Sequence, residues 1–292
     1  MILDIETTGL SPLYTQVILV GIIYYDGSTW KLTQIFCDHR REEKELLKAL
    51  SNYIEDHLII TYNGHAFDIP YLNKRYQENN LDFSINNHRN FDLYRVIRSS
   101  KKALNLSNYK LKTIEEYLGI FREDQISGKE SVELYNLYEE NPTVDFRHKI
   151  LLHNSDDIEY MIPTFKILDD IPEEIISKYY PFILKSDLYT ELICTDYHEE
   201  KDYLSIEWQT RDPLINLVDY SNGFSLEIQG HNISIKLPLF HIENRRFIDV
   251  DQLIFLDTHF NDLSYDQQVT YELSNKKSNI IIAQKILEKH HL

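Results

Sequence analysis

The sequence lacks any uncharged apolar run of about eighteen residues, the length a membrane-spanning helix requires, so no membrane segment is expected. Its opening residues show no basic stretch followed by an apolar core, so no secretory signal peptide is expected either. Cysteine is scarce: Cys37 and Cys194 stand far apart, in no spacing that suits a disulfide framework or a zinc site. Together these absences make the cytoplasm the expected location. Positive charge is also short, with 30 Lys and Arg against 47 Asp and Glu and a formal net charge of −17. That balance excludes a general polyanion binder. Contact with nucleic acid would have to use a local basic patch or bridging cations.

What is present is ample for a packed core: 42% apolar and 12% aromatic residues in a chain of 292. This length fits one large domain or two ordinary ones. Residues 1–6 read as a strand, and QVILVGIIYY (16–25) and WKLTQIF (30–36) as two more joined by the turn Asp26-Gly27-Ser28. Apolar residues recur at helical spacing over 41–56. LIITY (58–62) reads as a fourth strand, with a helix expected from about Ala66, and NFDLY (90–94) as a fifth. Helices are expected near 108–118, 128–140 and 145–168. A hairpin-linked meander extended by two strands with helical crossovers is an α/β arrangement.

The pattern changes after Asp169-Asp170-Ile171-Pro172. Short β-like runs follow: YLSIEWQ (203–209), LINLVDY (214–220), the alternating pair FSLEIQ and NISIKL around Gly230-His231, and HIENRRFI (241–248), which looks like a hairpin. The tail over 264–290 looks helical. The expected division is 1–170 and 171–292, the second part being a smaller β-rich domain with a helical tail.

Carboxylates concentrate in the first part. Asp4 and Glu6 are two apart on a strand, so they project from one face. TYNGHAFDIPYL (61–72) runs from strand into helix and carries Asn63, Phe67 and Asp68, the last in the first turn, where the helix dipole favours an acid. LLHNSDDIEYM (151–161) puts His153 and Asp157 at i and i+4, on one helix face. Each feature alone has an ordinary reading: a strand end in solvent, an N-terminal helix acid, a solvated helix position. Together, two strand carboxylates and two helix carboxylates on one α/β sheet can converge. Clustered carboxylates repel unless cations neutralise them. Hard oxygen donors suit Mg²⁺ or Mn²⁺. The stretch 93–114 adds Arg95, Arg98, Lys101, Lys102, Lys110 and Lys112 without an acid; it reads either as a solvated face or as contacts for a substrate backbone. Asp92 reads as a fold residue, Asp156 as solvent-facing or an indirect partner of the site, and His65 as a loop histidine without a site role.

DIETTGL (4–10), NGHAFDIPYL (63–72) and HNSDD (153–157) resemble the three exonuclease motifs of the DEDD superfamily, which has a ribonuclease-H-like fold. With FDLYR (91–95), YKLKTIEEYLGIFRED (109–124) and ISG (126–128), the pattern resembles the bacterial YprB-like ribonuclease-H-like branch. The resemblance covers about residues 1–168 and leaves the second part unplaced. It implies a mixed five-stranded sheet flanked by helices. It also implies a 3′–5′ exonuclease that hydrolyses phosphodiester bonds with two divalent cations, Mg²⁺ or Mn²⁺. Asp4, Glu6, Asp68 and Asp157 are the implied metal ligands and catalytic carboxylates. The backbone around Thr7, Thr8 and Leu10 is implied to meet the terminal nucleotide, with Leu10 as a wedge against its base. Asn63 and Phe67 are implied to shape the pocket, and Arg95 and Lys110 are candidate contacts from the basic stretch. The expected partner is DNA or RNA presenting a single-stranded or frayed 3′ end. The alternative is a nucleic-acid-binding module with vestigial catalysis that tethers a partner through its second domain.

His153 takes the position of the proton-handling residue, with a departure. The superfamily's His-type branch places its His five residues before the last Asp, and the Tyr-type branch places a Tyr four before. Here a His stands at the Tyr-type spacing, a one-residue shift that turns the ring by about 100° on a helix. His153 thus reads either as the base or as a histidine bonded to its neighbours.

Overall fold

The computed structural model describes residues 1–54, 57–122, 126–185, 191–220, 223–242, 245–249, 270–272 and 276–290. It divides into two compact units, Met1–Tyr179 and Tyr180–Leu292.

In the first unit, β1 (Ile2–Thr7), β2 (Val17–Tyr25) and β3 (Trp30–Phe36) form an antiparallel meander. Gly27, at φ 96°, and the Asp26 carboxylate, which accepts the N–H groups of Ser28 and Thr29, close the β2–β3 turn. After α1 (Glu43–Ile54), β4 (Ile59–Thr61) joins β1 in parallel, and after α2 (Asp68–Glu78), β5 (Asn90–Asp92) joins β4 in parallel. The resulting mixed five-stranded sheet, the type that the resemblance implies, has the order β3-β2-β1-β4-β5.

The fifth strand is shorter than NFDLY suggests. The Asp92 side chain accepts the Tyr94 N–H at 3.0 Å and so starts α3 (Leu93–Ser99). The short α4 (Lys101–Leu104) follows, then α5 (Leu111–Tyr117), α6 (Gly128–Glu140) and α7 (Val144–Thr164). Ser127 and Glu130 form a capping box on α6, and Thr143 caps α7. The first unit runs on through α8 (Glu173–Tyr179). Ile175, Ile176 and Tyr179 pack against the apolar cluster of Phe91, Leu93, Val96 and Ile97, which holds this helix on the first unit.

Strand alternation sorts the sheet's two faces. Leu3 and Ile5 enter a core with Leu47, Leu50, Ile69 and Leu72 from α1 and α2. Ile2 enters the opposite core with Ile158 and Met161 of α7. Asp4 and Glu6 share the Ile2 side of β1, so they lie under α7.

The second unit holds β6 (Ile183–Lys185), β7 (Glu191–Glu199), β8 (Tyr203–Asp219), β9 (Ser225–Ile242), β10 (Arg245–Asp249), β11 (Thr270–Glu272) and α9 (Lys276–Lys289). The strands form one antiparallel sheet in chain order. Its core packs Leu204, Ile206, Trp208, Ile233, Ile235 and Leu237 against Ile282, Ala283, Ile286 and Leu287 of α9. The runs 203–209 and 214–220 are one strand, as are the runs on either side of Gly230. The interruptions are absorbed as register shifts between Gln209 and Leu217 and by Gly230 at φ 58°. The helical tail begins later than expected, at Lys276, while 270–272 is strand and 264–269 lies outside the described residues.

Candidate active site

Three local devices bring the carboxylates together. First, the β4–α2 connection is a tight turn built on Asp92. Its carboxylate accepts the N–H groups of Asn63 at 2.8 Å and His65 at 3.0 Å, holding Asn63 in the left-handed region at φ 68°. Gly64 lies where a Cβ would meet Thr61 at 2.5 Å, so only glycine fits. This turn delivers Asp68 as the first residue of α2, 5% exposed. Asp92 is thus the fold residue expected, with the added task of shaping the site's border.

Second, α7 is docked on the meander through Asn154, which sequence reasoning passed over between His153 and Asp157. Asn154 is fully buried. Its Nδ2 donates to Asp4 Oδ2 at 2.9 Å, and its Oδ1 accepts from Gln34 Nε2 at 3.0 Å. Gln34 Nε2 also donates to the Leu151 carbonyl at 2.7 Å. The amide fits because β2 has Gly21 opposite Asp4, where a Cβ would lie 2.2 Å from Asn154 Oδ1. The signal in the sequence was a glycine amid VILVGIIYY, whose meaning only the α7 contact reveals.

Third, this docking points His153 and Asp157 at β1. His153 Nε2 lies 3.6 Å from Glu6 Oε1 and 3.8 Å from Asp157 Oδ2. One ligand atom each from Glu6, His153 and Asp157 falls within 4.8 Å of the others. Asp4 stands beside them: burial raises its carboxyl well above the usual carboxylate range, and Asp157, Asp68 and Glu6 push the same way. Burial likewise lifts Asp68 to about 7, with Asp92 and Glu6 adding to it and nearby backbone N–H groups opposing. The four carboxylates therefore converge. Buried and half-buried acids held above the usual carboxylate range, presenting hard oxygen donors, fit a divalent cation as a neutralising charge.

A cation from the protein itself already reaches the cluster. Arg122 pairs through Nη1 with Asp157 and through Nε and Nη2 with Glu115, at 2.8 and 2.6 Å. Neither Arg122 nor Glu115 was singled out from the sequence, because their partners lie on other elements. Among the described residues, a cavity of about 510 Å³ opens beside them, with Lys112, Phe121, His153 and Asp157 in its wall.

The remaining expected residues divide. Leu10 is 86% exposed on the loop after β1. That loop is held from inside: Thr7 Oγ1 donates to the Gly9 carbonyl, Thr8 Oγ1 accepts from Gln16 N, and Thr15 Oγ1 meets Tyr71 OH at 2.7 Å. Phe67 precedes α2 and packs on Tyr71. Arg95 is turned to other partners, His65 Nδ1 at 3.1 Å and the ring of Tyr179 at 4.9 Å. Lys110 precedes α5 and does not line the cavity; Lys112 does. Asp156 is half-buried beside Asp157.

A mixed sheet with an acidic first strand crossed by a carboxylate-bearing helix is a fold class, and a family match places the chain within it. Residues 1–168 match the RNase_H superfamily, and the chain belongs to it. An uncharacterized protein of Methanocaldococcus jannaschii is 29% identical over 185 residues, 58% of this chain and 94% of that protein. A DNA polymerase of Thermococcus sp. (strain 9oN-7) is 31% identical over 127 residues, 34% of this chain and 16% of the polymerase. Among solved structures, the family B DNA polymerase of the archaeon Pyrobaculum calidifontis superposes with a TM-score of 0.47 at 15% identity, covering 70% of this chain and 33% of the polymerase. Exonuclease I superposes with a TM-score of 0.41 at 13% identity, covering 70% of this chain and 54% of that protein. The chain thus spans only part of the polymerases and of exonuclease I.

Proposed function

We propose that the protein is a metal-dependent 3′–5′ exonuclease of DEDD type, related to the YprB-like branch, acting on the 3′ end of DNA or RNA. The observation that carries this reading is the meeting of Glu6, His153 and Asp157 beside Asp4 and Asp68, drawn from β1, α2 and α7. Asp4, Glu6, Asp68 and Asp157 would hold two divalent cations, Mg²⁺ or Mn²⁺. Such ions, when bound, orient a phosphodiester and stabilise attack and departure at phosphorus.

The chain's own residues do the rest. Leu10, exposed on a loop held by Thr7 and Thr15, presents an apolar face to the terminal base. Asn63 and Phe67 border the approach to Asp68. His153 Nε2, aimed at Glu6 and Asp157, accepts the proton of the attacking water. The second unit supplies substrate preference rather than chemistry, since every site residue lies before residue 158.

The test is a panel of 5′-labelled single- and double-stranded DNA and RNA incubated with Mn²⁺. A ladder shortening from the 3′ end supports the reading and gives substrate and polarity together. Binding without cleavage on every member would favour the nucleic-acid-binding module instead, a reading that the Arg122–Asp157 pair, a protein cation at the metal's carboxylate, also suits.

A further inference from the structure

Arg122 is held at two points by Glu115 and at one by Asp157. Arg122 Nε donates to Glu115 Oε2 at 2.8 Å, and its Nη2 lies 2.6 Å from Glu115 Oε1 as an ion pair. Glu115 is 2% exposed and anchored on α5, so it fixes the guanidinium whatever Asp157 does. Asp157 is contested. The same carboxylate faces His153 Nε2 at 3.8 Å and belongs to the Glu6–His153–Asp157 group. A divalent ion at that group would draw Asp157 away from Arg122, because two cations compete for one carboxylate. The guanidinium would stay where Glu115 holds it, with Nη1 freed at the wall of the cavity. Lys112 and the 81% exposed Phe121 share that wall, a second cation and an aromatic face. Cation and ring together match a nucleotide's phosphate and base.

We propose that Arg122, positioned by Glu115, is a phosphate-binding residue that a divalent ion hands from Asp157 to the substrate. This rests on the nuclease reading for the identity of the substrate, but its two halves are measurable without cleavage. Arg122 competes with the ion, so its removal tightens ion binding; Arg122 grips the phosphodiester, so its removal weakens nucleic-acid binding. A purely structural ion pair moves neither in that combination.

The experiment compares the full chain with Arg122→Gln and with the double variant Glu115→Gln/Arg122→Gln. The double variant leaves no buried acid without its cation, which guards against loss of folding; thermal melting checks both. Mn²⁺ titrated into the protein alone by calorimetry should bind about tenfold more tightly to both variants. A fluorescent single-stranded oligonucleotide, with Ca²⁺ in place of Mn²⁺, should bind both variants about tenfold more weakly by anisotropy. Unchanged or weaker Mn²⁺ affinity in the folded double variant, or unchanged oligonucleotide affinity, overturns the proposal. Absence of cleavage by the wild-type chain in Mn²⁺ overturns the nuclease reading alone, since both binding measurements still decide the role of Arg122.

Discussion

At the scale of single residues, the candidate site is a set of charges that the fold accommodates at a cost. Asp68 titrates near 3.9 in an unfolded chain and at about 7 in the folded one, burial being the main cause. A carboxyl raised on folding contributes stability that is complete below its unfolded value and lost as pH rises through its folded value. The metal-free protein should therefore melt at a falling temperature between about pH 4 and about pH 8. Asp68→Asn should flatten that fall and raise the melting temperature at the alkaline end. Mn²⁺ should restore the wild-type protein there, because it binds the assembled site and not the unfolded chain. An Asp68→Asn profile that tracks the wild type would refute the assignment of the strain to this residue. His153 makes a different kind of contribution. If its Nε2 takes the proton of the attacking water, His153→Ala should slow cleavage by ~10²–10⁴-fold while oligonucleotide binding holds. Cleavage at the wild-type rate would leave it a histidine that only spaces Glu6 from Asp157.

Elements are joined by buried polar ties rather than by apolar packing alone. Arg75 of α2 grips Glu43 of α1 with two bonds, at 2.8 and 2.6 Å, and its Nη1 donates to the Pro12 carbonyl at 2.8 Å. Glu43 also accepts the Val17 N–H at 2.8 Å. One ion pair thus fastens two helices, the start of β2 and the loop that carries Leu10. Both partners are buried. Arg75→Met should cost about 3–5 kcal/mol in urea unfolding, because Glu43 is left as an uncompensated buried charge. The double variant Glu43→Gln/Arg75→Met should recover much of that loss. Equal losses in single and double variants would show that the tie matters for its shape and not for its charge.

At the scale of the whole molecule, each unit has a core of its own. The first closes β1–β5 between two helical layers, and the second packs its sheet on α9. Every residue of the candidate site falls in the first, so a protein of residues 1–179 should fold. It should keep the Mn²⁺-dependent rise in melting temperature and cleave short oligonucleotides, with altered substrate preference. Cooperative unfolding and the Mn²⁺ shift are the measurements; loss of the shift on truncation would place a ligand in the second unit.

Much of this was legible in the order of residues. Period-two alternation put Asp4 and Glu6 on one face, and the i, i+4 spacing put His153 and Asp157 on another. The strand and helix order prescribed the mixed sheet. Local pattern suffices there because a strand or helix face is defined by a few neighbouring residues. What escaped the sequence depends on partners distant in the chain. Gly21 looks like a weak point in a strand until Asn154, 133 positions on, fills the missing Cβ's place and reaches Asp4. Arg122 looks like a surface charge until α5 and α7 close on it from either side. Arg95 and Lys110 belong to a basic run, yet side-chain direction alone decides that Lys112 borders the cavity while Arg95 turns to His65 and Tyr179. The sequence by itself determined which faces exist. Tertiary packing decided which charges meet, because burial and a few ångströms of separation set the strength of an electrostatic contact and neither can be read from spacing along the chain.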